Sequence, residues 1–158
     1  MKEVSIAGYP EGHPDIADDI LWRHLEDKIA ALSEQGLDAV ILTQFAFDTD
    51  PVMAWIQEVR RRGITAEIRI GTPGPAGIKR LLGFARRFGI GANAMIVKKY
   101  GFSLTNLMGT AGPDRFVTDL ADLLAQNGTL GSVRLHFYTF GGLRATSEWV
   151  RDFRAPQS

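Results

Sequence analysis

The nearly unbroken apolar run Ala39, Val40, Ile41, Leu42, continued by Phe45, Ala46 and Phe47, constrains the fold of this chain more than any other feature. A strand that is apolar on both faces has to be covered on both faces, which is the situation of a parallel sheet flanked by helices. Three further segments read as strands: Val4 to Tyr9, Thr65 to Gly71 and Val133 to Phe140. The last of these alternates, with Val133, Leu135 and Phe137 pointing one way and Arg134, His136 and Tyr138 the other. That period of two puts one set in the core and offers the other to a polar cavity.

Each strand opens into a Gly, Pro or Asp turn followed by a helical pattern. The first helix carries Asp15, Asp18 and Asp19 in its opening turns, where acid favours the positive end of the helix dipole. It lines up Ile20, Leu21, Leu25, Ile29 and Leu32 on one face and stops at Gly36. The second has Asp50 as N-cap, Pro51 at the first helical position, and a stripe of Val52, Trp55, Ile56 and Val59 ending before Gly63. A third helix is expected from about Ala76 to Phe88, and short helical pieces over 91–111 broken by Gly101 and Gly109. After Pro113 a helix with Phe116, Leu120, Leu123 and Leu124 stops at Asn127–Gly128, and a last one runs from about Arg144 to Phe153. Strand–helix repetition of this kind predicts an α/β fold with a parallel sheet and right-handed crossovers. It is satisfied by a small open sheet or by four consecutive units of an eight-unit barrel.

The chain has 158 residues, 45% hydrophobic and 23% charged, which is the composition of a globular domain and excludes disordered and collagen-like chains. One domain is expected over 1–158, with 154–158 a frayed tail. The 18 basic residues balance the 18 acidic ones, so no electrostatic drive toward nucleic acid or an anionic membrane surface is expected. There is no cysteine, which excludes disulfides, thiol catalysis and thiolate metal sites and is compatible with the cytoplasm, the expected location. No apolar run reaches about 18 residues and Met1–Lys2–Glu3 opens no signal region, so no spanning helix or secretion signal is expected.

Ligand sites in parallel α/β architectures lie at the carboxyl ends of the strands, and the unusual residues collect there. His13, between two prolines, reads equally as a ligand-binding imidazole or as a turn residue. Gln44 is more telling. An unpaired amide at the end of a buried apolar strand costs a few kcal/mol, so it is expected to be paired, either to the edge of a heterocycle or to neighbouring backbone. Gly71 to Gly77 permits close backbone approach and is read first as a plain loop, second as a phosphate cradle. Phe45, Phe47, Phe137, Tyr138 and Phe140 read as core or as the wall of a cavity for a planar ligand. His24 reads as helix surface. No zinc-site spacing and no Ser, His, Asp arrangement declares itself.

The stretch Ile6–Ala7–Gly8–Tyr9–Pro10–Glu11–Gly12–His13–Pro14, then Thr43–Gln44–Phe45–Ala46–Phe47–Asp48, then His136–Phe137–Tyr138–Thr139–Phe140 resembles the methylenetetrahydrofolate reductases. The resemblance implies a (β/α)8 barrel, here its C-terminal half as four βα units. It also implies FAD as cofactor and NAD(P)H as co-substrate for reducing 5,10-methylenetetrahydrofolate to 5-methyltetrahydrofolate. By position, Ala7, Tyr9 and His13 correspond to flavin contacts, and Lys28 is similar to the basic residue facing the FAD phosphates. Gln44 matches the glutamine that bonds the pterin and the nicotinamide amide. Phe84 matches the aromatic that stacks on either substrate, and Tyr138 and Phe140 match substrate contacts of the last strand.

Two departures qualify what the resemblance implies. The family commonly follows its His-Phe-Tyr-Thr motif with Leu-Asn-Arg, whereas Phe140–Gly141–Gly142–Leu143–Arg144 stands here. The family's general-acid glutamate and its flavin-tuning aspartate precede the Gly-Tyr-Pro motif, so neither is in this chain. A strand beginning at Val4 is what a cut through the middle of a barrel leaves. The expected partners are therefore a folate substrate and, for an open half barrel, a second copy or a separate N-terminal half. The expected function is the family reaction within a completed barrel. The alternatives are a non-catalytic flavin or folate module and an inactive fragment.

Overall fold

A computed structural model describes residues 2–77, 83 and 110–155. Its elements follow in the order β1 (Glu3–Gly8), α1 (Asp18–Glu34), β2 (Asp38–Phe45), α2 (Thr49–Arg61), β3 (Glu67–Pro73), β4 (Ala76–Gly77), β5 (Thr110–Ala111), α3 (Asp114–Gln126), β6 (Val133–Tyr138) and α4 (Leu143–Arg154). Strands β1, β2, β3 and β6 form one sheet in that order, every pair parallel. The fold is α/β, four βα units in the arrangement of half a (β/α)8 barrel.

The two faces of the sheet differ sharply. On the outer face Ile6, Ile41, Ile68, Ile70, Val133 and Leu135 meet Leu25 of α1, Val52, Trp55, Ile56 and Val59 of α2, and Phe116, Val117 and Leu120 of α3. This is the amphipathic pattern of the helices realised as one core. On the inner face, the amino ends of the strands carry a charge ladder. Arg69 Nη2 lies 3.0 Å from Glu3 Oε1 and Arg69 Nε 2.8 Å from Glu67 Oε1, while Arg134 Nε lies 2.9 Å from Glu67 Oε2. Donation by Arg69 holds the Glu67 carboxyl below its ordinary range. Further up, Ser5 and Ala7 are exposed, and the carboxyl ends carry Gln44, Phe45 and Tyr138. The alternation expected for the last strand is therefore seen: Val133 and Leu135 pack in the core, and Arg134 faces the inner ladder.

Several boundaries differ from the sequence reading. Strand β2 ends at Phe45 and not at Phe47, and the N-cap of α2 is Asp48 rather than Asp50. The Asp48 carboxylate accepts from the Asp50 N–H at 3.3 Å. Pro51 is then the third helical residue, where its missing N–H costs nothing because first-turn N–H groups have no helical partner. Strand β3 begins at Glu67 rather than Thr65, because Ile64 is drawn into the core. Ala76–Gly77, expected to open a helix, instead pairs antiparallel with Thr110–Ala111. Pro73 and Pro75 keep the chain extended there. Of the rest of that expected helix only Gly83 is described, and it is helical; of the helical pieces expected over 91–111 only Thr110–Ala111 are described, and they form strand β5 instead, while residue 84 lies outside the described residues.

Candidate functional site at the carboxyl ends of the strands

The inner wall near β1 forms a cavity of about 280 Å3 lined by Ser5, Ile6, Ala7, Gly8, Tyr9, Leu42, Gln44 and Tyr138. A second cleft of about 470 Å3 runs between α1 and α2 and shares Ala7, Gly8 and Tyr9 with it. The carboxyl end of β1 therefore stands between two hollows and lines both. The second contains the stacked pair Trp22 and Trp55, with centroids 5.7 Å apart, and the carboxylates of Glu11, Asp18 and Glu58.

Of the sequence-derived candidates, Ala7, Tyr9, Gln44 and Tyr138 come together in the smaller cavity. His13 sits in the β1–α1 loop with its ring edge-on to Tyr9 at 5.6 Å. Its Nδ1 accepts from the Asp15 N–H at 3.2 Å, so the neutral ring carries its proton on Nε2. Phe140 lies beside the cavity, its ring 5.3 Å from Phe45 and 6.3 Å from Tyr138. It holds a φ of 46°, a left-handed backbone uncommon for an aromatic residue. Lys28 is exposed on the third turn of α1 and lines neither hollow. Phe84 lies outside the described residues.

The amide of Gln44 is paired on one side only. Its Oε1 accepts the Phe45 N–H at 3.1 Å, the neighbouring-backbone bond that the sequence left open, and no bond to its NH2 is found among the described residues. A donor pair is thus left on the wall of a cavity whose other lining is mostly apolar and aromatic. Burial pushes the Tyr138 phenol up from its ordinary value, with a further rise from Tyr9, so Tyr138 stays protonated and donates to the Thr43 carbonyl at 3.0 Å. His136, edge-on to Tyr138 at 5.0 Å, is held below its ordinary pKa by burial and then by Arg69. It is neutral at pH 7.

The Gly71–Gly77 segment, read first as a plain loop, is mostly strand: Gly71–Pro73 closes β3, Ala76–Gly77 forms β4, and only Gly74 and Pro75 lie between them. The Gly71 N–H donates to Thr43 Oγ1 at 2.8 Å and the Gly74 N–H to the Tyr138 carbonyl at 2.9 Å, and Pro73 and Pro75 have no N–H. The N–H groups of Gly71 and Gly74 are therefore engaged within the fold rather than offered to a phosphate. A side chain at Gly74 would overlap Thr146 of α4, so that glycine serves close packing.

Sequence reasoning missed Thr43. It is fully buried and bonds the backbone of both β2 and β3. A threonine inside an apolar run looks like an ordinary β-branched strand residue, and only its position beside Gln44 was a signal. Phe45 was read as wall or core; it is buried against Tyr138 and Phe140 and does not itself line the cavity.

The sequence profile described as methylenetetrahydrofolate reductase matches residues 2–151. Methylenetetrahydrofolate reductase 1 of Schizosaccharomyces pombe is 31% identical over 142 residues, covering 86% of this chain and 22% of the relative. Methylenetetrahydrofolate reductase (NADH) 1 of Arabidopsis thaliana is 33% identical over 91 residues, covering 54% of this chain and 15% of the relative. A probable methylenetetrahydrofolate reductase (NADH) of Oryza sativa is 34% identical over 91 residues, with the same coverage, so the chain spans about a fifth or less of the relatives it matches. The chain belongs to the methylenetetrahydrofolate reductase family.

Proposed function

We propose that this chain supplies one half of the wall of a reductase that converts 5,10-methylenetetrahydrofolate to 5-methyltetrahydrofolate with NAD(P)H, with FAD as cofactor. The observation that carries the reading is the half-paired amide of Gln44 in a cavity with Ala7, Leu42, Tyr9 and Tyr138. A planar heterocycle is held by flat apolar contact on its faces and by a few fixed polar groups at its edge. Leu42 and Ala7 offer the first, and the Gln44 NH2 the second, so the residues present fit a flavin or a pterin ring. When bound, the flavin carries the hydride between NAD(P)H and the one-carbon unit.

The chain's own residues bind and orient. Tyr9 and His13, packed edge to face, form the rim on the β1 side, and Phe140, backed by the buried Phe45, the opposite rim. Phe84 and Lys28 are assigned to substrate stacking and to the cofactor phosphates by resemblance alone. The reading treats residues 1–158 as one half-barrel domain acting in the cytoplasm.

A specific observation favours a second reading, a flavin or folate module without turnover. Among the described residues the lining of the smaller cavity contains no carboxylate, and Glu3 and Glu67 on the inner face are both committed to arginines. A proton donor for opening the methylene bridge has to come from outside this wall. The test is made on the purified chain. Flavin absorbance, and NADH oxidation with a quinone acceptor that responds to added folate substrate, are expected for the reductase within a completed barrel. Bound flavin with no folate-dependent turnover, even after a separately expressed N-terminal half is added, would leave the binding module. A colourless chain with no affinity for flavin or folate would overturn both.

A further inference from the structure

Strand β2 carries a bulge at the point where Gln44 leaves it. The ladder pairs Leu42 with Arg69 and next Phe45 with Gly71, so Thr43 and Gln44 together stand opposite Ile70. Bulges free ladder groups that then need other partners, and they re-aim the side chains around them. Here side chains supply those partners. Thr43 Oγ1 accepts the Gly71 N–H at 2.8 Å and donates to the Gln44 carbonyl at 2.9 Å. The Tyr138 hydroxyl reaches across β3 to donate to the Thr43 carbonyl at 3.0 Å, and Gln44 Oε1 accepts the Phe45 N–H at 3.1 Å.

The reach of Tyr138 needs a gap on the strand between, and Gly71 is that gap. A Cβ there would lie 2.6 Å from both the Thr43 carbonyl and the Tyr138 ring. Because the Phe45 N–H requires an acceptor, the oxygen of the Gln44 amide is fixed toward the backbone and its nitrogen toward the cavity. Thr43 does not line the cavity and is fully buried, so it acts only through Gln44.

We infer that Thr43 and Tyr138 are positioning residues that lock the polarity of Gln44, so that this site reads a ligand edge bearing hydrogen-bond acceptors, a carbonyl oxygen or an unprotonated ring nitrogen. The inference rests on the ligand reading above but makes a claim about the unliganded chain that stands or falls separately.

The test uses the full chain with Thr43→Val, Thr43→Ser, Tyr138→Phe and Gln44→Glu. Amide exchange by NMR is expected to show Gly71 and Phe45 protected in the wild type. Exchange at both is expected to rise about tenfold in Thr43→Val and to return near wild type in Thr43→Ser. The Gln44 side-chain NH2 resonances are expected to move toward those of a free amide in Tyr138→Phe. That variant, together with the protection retained in Thr43→Ser, decides the question if Thr43→Val does not fold. Folic acid, titrated calorimetrically, is expected to bind Gln44→Glu at least about tenfold more weakly than wild type, since a carboxylate offers no donor. Unchanged exchange in Thr43→Val, or unmoved Gln44 resonances in Tyr138→Phe, would overturn the lock. Equal folic acid affinity for Gln44→Glu would overturn the acceptor-reading claim. Wild type that binds no folic acid while the exchange pattern holds would sink the folate reading and leave the lock standing.

Discussion

Arg60 shows how a single side chain can hold two turns of this fold together. Its guanidinium donates to the carbonyls of Leu130 at 2.7 Å, Ile64 at 2.7 Å, Ala66 at 2.9 Å and Ser132 at 3.3 Å. These are the turns that lead into β3 and β6, so the residue sets the register of two neighbouring strands from below. Arg60→Met keeps the apolar stem and leaves those carbonyls to water, and is expected to cost about 2–3 kcal/mol in urea unfolding. A loss below about 0.5 kcal/mol would mean that the turns hold without it. In the sequence Arg60 is only one of three consecutive arginines before Gly63, with nothing to mark it from its neighbours. Gln44 was legible for the opposite reason: a neutral amide inside an apolar run has few places to go. A backbone carbonyl cluster has no side-chain signature, which is why Arg60 and Thr43 were invisible and Gln44 was not.

At the scale of elements, the pattern of strands and helices could be read from hydrophobic period, while caps and ends could not. Asp48 and Asp50 are equally good caps by residue type, and the choice is made by where β2 stops, which depends on the Ala46 N–H bonding the Gly71 carbonyl at 3.0 Å. Helices α1 and α2 are joined at their surface by charge. Glu58 accepts from Arg61 at 2.6 Å and from Arg62 at 2.6 Å, and Arg62 reaches Glu26 of α1 at 2.8 Å while stacking over Trp22 at 4.4 Å. Donation by Arg61 and Arg62 draws the Glu58 carboxyl from 4.5 down to about 2. Because the folded carboxyl holds its proton less tightly than the unfolded one, its contribution is present above pH 4.5 and is lost as pH falls toward 2. Glu67, also lowered, adds in the same direction. His136, lowered from 6.5, makes the folded state lose ground as pH drops below that value. Thermal melts between pH 7 and pH 3 are therefore expected to fall monotonically, and Glu58→Gln to flatten the acid limb while leaving the limb near neutrality unchanged. Parallel curves for the two proteins would contradict the assignment.

At the scale of the whole molecule, the described helices cover one face of the sheet, and no described element covers the other. Among the described residues β1 pairs with β2 alone and β6 with β3 alone, so both outer strands present free edges. The inner face exposes Ser5 and Ala7 beside the half-buried Leu42 and Tyr138. A closed barrel of this type needs eight parallel strands, and the described residues supply four, β1, β2, β3 and β6, adjacent in chain order. The two edges also differ in charge. Glu3 stands on β1 and Arg134, whose side chain is 69% exposed, on β6. Joining a β6 edge to a β1 edge therefore sets opposite charges side by side, which a second copy of the chain supplies. The chain at micromolar concentration is expected to elute as a dimer or larger species in light-scattering chromatography. Arg134→Glu is expected to shift it toward monomer by placing like charges at the joint and by breaking the pair with Glu67. Addition of a separately expressed N-terminal half from a family member is expected to convert the self-associated form to a one-to-one complex. A wild-type chain that stays a well-folded monomer and ignores the added half would show that the open face is stable in water and that the barrel is not the working unit.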